Sequence, residues 1–147
     1  MEIKKVVVIG SGTMGSGIAA HLCNANIPVT LLDLKTEISE QARDKIYKSR
    51  PPLLLDKTKI NNIKVGNIVD NFDEVKEADW VVEAVVERID IKHDIYKKIF
   101  KERKKGAIVS SNTSSIPIKV LSEYLSEEEK KIFALLTFLI QLDTWGY

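Results

Sequence analysis

Apolar positions along this chain form short continuous runs, separated by longer stretches with helical spacing. Residues 6–9 are an unbroken run of valine and isoleucine, the mark of a strand buried on both faces, as in parallel sheets. Met14, Ile18, Leu22 and Ala25 then recur at helical intervals until Asn-Ile-Pro-Val breaks the pattern. Residues 29–32 read as a second buried strand, ending at Asp33. A polar helix is predicted over 36–48, with Ile38, Ala42 and Ile46 inward and Pro51 and Pro52 as its stop, since proline cannot continue a helix. The stretch 53–63 predicts a short helix with a loop. Ile68 and Val69 suggest a third strand, and residues 80–82 a fourth. Ile91, Ile95 and Ile99, flanked by Tyr96 and Phe100, mark an amphipathic helix that Gly106 terminates. Residues 107–109 read as a fifth strand, 118–125 as helix, and the apolar run 133–140 as a sixth strand.

Strands alternating with helices argue an α/β fold: a Rossmann-like, doubly wound, mostly parallel sheet in a single domain. The length of 147 residues suits one such domain. With 44% hydrophobic and 29% charged residues the composition is that of an ordinary globular protein. A net charge of +1 gives no bulk attraction to nucleic acid or to an anionic membrane. The single cysteine, Cys23, cannot form an internal disulfide; it fits a reducing cytoplasm and a small buried apolar role. The apolar run before Gly10 is too short for a signal peptide, and the tail falls short of the roughly 20 residues a membrane span needs. No internal repeat is visible, and no metal ligands are assigned.

The segment VVVIGSGTMGSGIA places G-x-G-x-x-G between a strand and a helix. Gly10 allows the tight turn, Gly12 the close approach of a pyrophosphate, and Gly15 close packing of helix on strand. The helix N-terminus presents free N–H groups to phosphate. Asp33 closes the next strand, where a carboxylate binds the adenosine ribose diol and repels a 2′-phosphate, which favours NAD over NADP. The plain alternative is a glycine turn in a non-binding α/β protein.

Two further stretches lie at C-terminal strand ends, where open α/β sheets bind ligands. ADWVVEAVVERIDIK puts Glu83 and Glu87 at the exit of the fourth strand, and SSNTSSI follows the fifth. Carboxylates there can orient a base or a ribose; hydroxyls and an amide suit a carbonyl or hydroxyl substrate. A loop with a helix N-cap explains the serines and threonine equally well.

Taken together, GSGTMGSGIA, ADWVVEAVVE and SNTSSIPI resemble the NAD-binding domain of the 3-hydroxyacyl-CoA dehydrogenase family, over about residues 3–130. The resemblance implies oxidation of the C3 hydroxyl of an acyl-CoA to a ketone, with hydride passed to NAD. It implies cofactor contacts from Gly10, Ser11, Gly12, Thr13, Met14, Gly15, Asp33, Ala84, Val85, Glu87, Lys92 and Asn112, the last near the nicotinamide. It assigns Ser114 the substrate oxygen. Lys45, Lys48, Arg50, Lys57 and Lys59 are candidates for CoA phosphates, against the plainer reading of a solvated charged face.

The family's base is a histidine in an HFFNP stretch soon after SNTSS, suited to proton transfer by its near-neutral pKa. This sequence has two histidines, His21 and His93, and neither follows SNTSS; both read as surface or packing residues. Where the family has its histidine, this chain has LLTFLIQLDTWGY. With A/T-rich codons, a frame shifted by two bases turns the same stretch into Thr-His-Phe-Phe-Asn-Pro. The expectation is therefore an NAD-binding domain over 1–133 and an aberrant or terminal apolar tail over 134–147, the frame slipping near Ala134. Such a chain lacks the catalytic dyad and the helical C-terminal domain, and associates into a homo-oligomer through exposed apolar surface. A free-standing NAD-binding module and a small 3-hydroxyacid dehydrogenase using Ser114 and a Glu are the competing readings.

Overall fold

A six-stranded, all-parallel sheet organises the chain in the computed structural model, which describes residues 2–135. The elements are β1 (Val6–Ile9), α1 (Thr13–Asn24), β2 (Val29–Asp33), α2 (Thr36–Lys48), β3 (Ile63–Asn67), β4 (Trp80–Glu83), α3 (Ile89–Glu102), β5 (Ile108–Ser111), α4 (Ile118–Leu121), α5 (Glu127–Lys131) and β6 (Phe133–Leu135). Short 3-10 turns precede β3 and β4, at Lys57–Asn62 and Phe72–Glu77. The strand order is β3-β2-β1-β4-β5-β6, so the chain reverses its direction of growth between β1 and β4. Open α/β sheets bind ligands at such a reversal.

The alternation of side chains along a strand divides the core in two. Val6 and Val8 face one layer with Val29, Leu31, Ile18, Leu22, Ala42 and Ile46. Val7 and Ile9 face the other, with Leu32, Val81, Val109, Ile95, Tyr96 and Ile99. This is why β1 is apolar at every position. Burying each such aliphatic side chain contributes about 1.5–3 kcal/mol relative to exposure. Cys23 lies in the first layer; burial pushes its thiol up to about 11.

Several boundaries differ from the sequence expectation. The third strand is Ile63–Asn67, pairing with Val29–Asp33 of β2, and not Ile68 and Val69. Ile63 and Val65 are interrupted by the exposed Lys64 and followed by Gly66, so a search for a continuous apolar run passes over this edge strand. Asn67 Oδ1 then accepts the N–H groups of Val69 and Asp70 and turns the chain, which leaves Val69 80% exposed. In α2, Ile38 is exposed, and Ser39 is buried alongside Ala42 and Ile46, its hydroxyl donating to Gly66 O at 2.8 Å. The helix α3 ends at Glu102, ahead of Gly106, whose φ of +85° forms the turn into β5. The strand β5 runs on to Ser111 because both serine hydroxyls find partners in the interior. The predicted helix over 118–125 closes at Leu121, where Ser122 Oγ bonds back to Ile118 O. The sixth strand is present over Phe133–Leu135; its expected continuation to 140, and the rest of the tail, lie outside the described residues. Among the described residues no helix is long and apolar enough to cross a membrane.

Candidate functional site

The loop from β1 into α1 is shaped by contacts that exclude side chains. Gly10 has φ +104°, and a Cβ there would lie 2.3 Å from Ala84 O. A Cβ on Gly15 would lie 1.8 Å from Gly10 O. The glycine loop and the exit of β4 are therefore pressed backbone to backbone. Gly12 is different: a Cβ there meets nothing within 4 Å, so the N-terminus of α1 opens onto free space. No side chain caps that end, and its first turn holds no acidic residue. Uncapped N–H groups and the helix dipole leave the position suited to phosphate. Thr13 and Met14 are exposed on this turn, while Ser11 is buried.

Asp33, at the tip of β2, faces this loop. Its Oδ2 accepts the Ser11 N–H at 2.8 Å and the Ser11 hydroxyl at 2.5 Å, and its Oδ1 accepts the Leu34 N–H at 2.7 Å. The carboxylate stands 22 residues from Ser11 in the chain but beside it in space.

A second group of side chains occupies the exits of β4 and β5. Glu83 and Lys92 are completely buried and paired at 2.6 Å. Glu83 Oε2 also accepts the Val85 N–H, while Oε1 accepts the hydroxyls of Tyr96 and Ser111, each at 2.6 Å. Burial, followed by the Glu83 carboxylate, pushes the Tyr96 phenol well above its ordinary value, so it stays a donor. Lys92 reaches onward to Glu87 Oε1 at 3.3 Å. Glu87 Oε2 accepts the hydroxyls of Thr113 and Ser115, both at 2.7 Å. Desolvation acts to raise the Glu87 carboxyl, but hydrogen bonds from Ser115 and Thr113 and the Lys92 charge together hold it below the usual range.

Ser114 thus sits between two residues tied to one carboxylate, and it is exposed. The Asn112 N–H donates to Glu83 O at 2.7 Å, and Asn112 Oδ1 is buried with no hydrogen-bond partner among the described residues. An open helix N-terminus after β1 and a buried open acceptor after β5 suit a dinucleotide reaching across the sheet reversal. The residues present fit NAD.

Of the residues expected at the site, the structure gathers Gly10, Ser11, Gly12, Thr13, Met14, Gly15 and Asp33 around the loop, with Ala84 against Gly10. Val85, Glu87, Lys92, Asn112 and Ser114 lie at the neighbouring strand exits. Sequence reasoning missed Tyr96 and Ser111. Tyr96 reads as one more apolar position of an amphipathic helix; the signal was Lys92 four residues earlier on the same inward face. His93 is a packing residue, with Nε2 2.8 Å from Val120 O and its ring edge-on to Tyr124. Of the lysines considered for CoA, Lys57 lies over the Tyr47 ring and Lys59 bonds Asn26.

A family described as 3-hydroxyacyl-CoA dehydrogenase, NAD binding domain, matches residues 5–139. The chain belongs to this family. Among relatives of this NAD-binding domain is a probable 3-hydroxyacyl-CoA dehydrogenase of Deinococcus radiodurans, 41% identical over 140 residues, covering 90% of this chain and 40% of that protein. A putative fatty acid oxidation complex trifunctional enzyme of Rickettsia felis is 41% identical over 144 residues, covering 93% of this chain and 20% of its own length. In structure, the domain is similar to 3-hydroxybutyryl-CoA dehydrogenase from Escherichia coli, with a TM-score of 0.79, 26% identity, and coverage of 92% of this chain and 29% of that one. The chain thus spans two fifths or less of these proteins. NAD is the cofactor of the family, in agreement with the open Gly12 and the carboxylate of Asp33.

Proposed function

We propose that this chain is the NAD-binding half of an enzyme that oxidises 3-hydroxyacyl-CoA to 3-oxoacyl-CoA in fatty-acid metabolism. The observation that carries the reading is the placement of Ser114. It projects from the β5 exit, with the hydroxyls on either side of it fixed to Glu87, in a layer whose neighbouring strand exit abuts the glycine loop through Ala84. NAD, when bound, supplies the hydride acceptor. The backbone at Gly12 and the first turn of α1 hold its pyrophosphate, Asp33 its adenosine ribose, and Asn112 Oδ1 accepts a donor at the nicotinamide end. Ser114 donates a hydrogen bond to the substrate oxygen. Lys92 balances Glu83 and Glu87, so that the loop before and after Ser114 is held by a carboxylate of low proton affinity.

The proton acceptor is assigned outside this group of residues. His93 is committed to Val120 O, and His21 lies exposed on α1. We therefore read the shifted frame near Ala134 as the source of the missing histidine, and expect association through exposed apolar surface. Titration of the purified chain with NADH, followed by nicotinamide fluorescence, should show saturable binding. The same protein should show no reduction of acetoacetyl-CoA; turnover at an enzymatic rate would overturn the assignment of the base.

A further inference from the structure

Asp33 is already engaged by this chain before any nucleotide reaches it. A carboxylate offers about four acceptor positions. Three are filled: two on Oδ2, by the N–H and the hydroxyl of Ser11, and one on Oδ1, by the Leu34 N–H. A ribose diol placed against the carboxylate needs one position on each oxygen. Oδ1 has one left; Oδ2 has none while the Ser11 hydroxyl points at it. The two donors on Oδ2 differ in kind. The N–H belongs to the turn that Gly10 fixes, and it cannot leave without unmaking the loop. The hydroxyl turns about a single χ1 bond, and its departure costs only its own hydrogen bond.

We infer that the Ser11 hydroxyl is a placeholder for a ribose hydroxyl on Asp33, which leaves Oδ2 when a nucleotide with an intact 2′,3′-diol binds. The inference rests on the NAD-binding reading and adds to it a residue that lowers affinity for the diol by competing for Asp33. In the empty site the placeholder keeps the carboxylate turned toward the loop. On binding it is exchanged, donor for donor, so that part of the ribose interaction is spent replacing a bond the protein already had. Removing the hydroxyl removes that competition and tightens binding, the reverse of what truncating an ordinary contact residue does.

The test uses the full chain, wild type and Ser11→Ala, titrated with NADH by fluorescence, with ADP and 2′-deoxy-ADP as competitors. Melting midpoints establish that both variants are folded. Ser11→Ala should bind NADH about 3–10-fold tighter, the competition being that of one charge-assisted hydrogen bond largely offset by its replacement. ADP should gain a similar factor, and 2′-deoxy-ADP distinctly less, since it lacks one of the two donors. Ser11→Thr, which keeps the hydroxyl, should gain nothing. Unchanged or weaker NADH binding in Ser11→Ala, or an equal gain for the deoxy nucleotide, would overturn the placeholder role while leaving NAD binding intact. Failure of the wild type itself to bind NADH would sink the cofactor reading and this inference with it.

Discussion

The two halves of the proposed cofactor site are built by opposite means. The glycine-loop half consists of backbone: glycines that let strands and loop touch, an uncapped helix N-terminus, and one partly exposed carboxylate. The half at the β4 and β5 exits consists of buried side chains, with Glu83, Lys92, Tyr96 and Ser111 joined in one network and Glu87 carrying it to the surface. The first kind of site tolerates no added atoms. The second tolerates no missing partner, because a charge left alone in the interior costs far more than the pair contributes. The difference teaches that the Glu83–Lys92 pair is weak testimony to stability but strong testimony to positional demand: it fixes where two strand exits stand relative to each other.

The sharpest way to break this contrast is Lys92→Met. It strands the wholly buried Glu83 carboxylate, and urea unfolding should show a loss of about 3–5 kcal/mol. The double variant Lys92→Met with Glu83→Gln should regain part of that loss, as the two residues form one unit. Recovery of nothing would mean that packing rather than charge is at issue. At the other end, Gly15→Ala drives a Cβ to 1.8 Å from Gly10 O. About 3 kcal/mol of destabilisation is expected from the overpacking, with NADH affinity reduced at least about tenfold as the loop shifts. Wild-type NADH binding by this variant would show that the loop is looser than its contacts require.

A smaller effect separates hydroxyl from charge. Tyr96→Phe leaves the ring edge-on to Phe133 and removes one of two hydroxyl donors to Glu83 Oε1; calorimetry should show a loss of about 1–2 kcal/mol. The smallest effect belongs to an ion pair near solvent. Hydrogen bonds from Lys104 and from the N–H of Lys4 outweigh desolvation and hold the Asp79 carboxyl down from its ordinary 3.8 to about 2. A depressed folded-state pKa gives stability that is complete above the unfolded value and fades as pH falls through the folded one. Asp79→Asn should therefore flatten the acid limb of the stability profile between pH 3.8 and about 2 and leave the limb near neutrality parallel to the wild type. Glu74 and Glu87, both also depressed below 4.5, keep some acid sensitivity in that variant.

The glycine-loop half was written in the sequence because its physics is local. A strand run, three glycines at fixed intervals and an acid at the next strand tip carry their meaning in spacing alone, and the structure places them together. The buried strands were legible for the same reason, since β1, β2 and β4 announce themselves by apolar runs. What escaped was whatever depended on a partner distant in the chain. The edge strand β3 has its polar alternation settled by pairing with β2. Ser110 and Ser111 look like the start of a loop until Trp80 and Glu83 supply their hydrogen bonds and draw them into β5. Tyr96 looks like packing until Glu83, 13 residues away, meets its hydroxyl. Sequence alone settled the fold, the cofactor loop and the family resemblance, because backbone geometry and hydrophobic period are properties of short segments. Only the tertiary structure decided which hydroxyls and charges share the interior, because a buried polar group is tolerable only where another element delivers its partner.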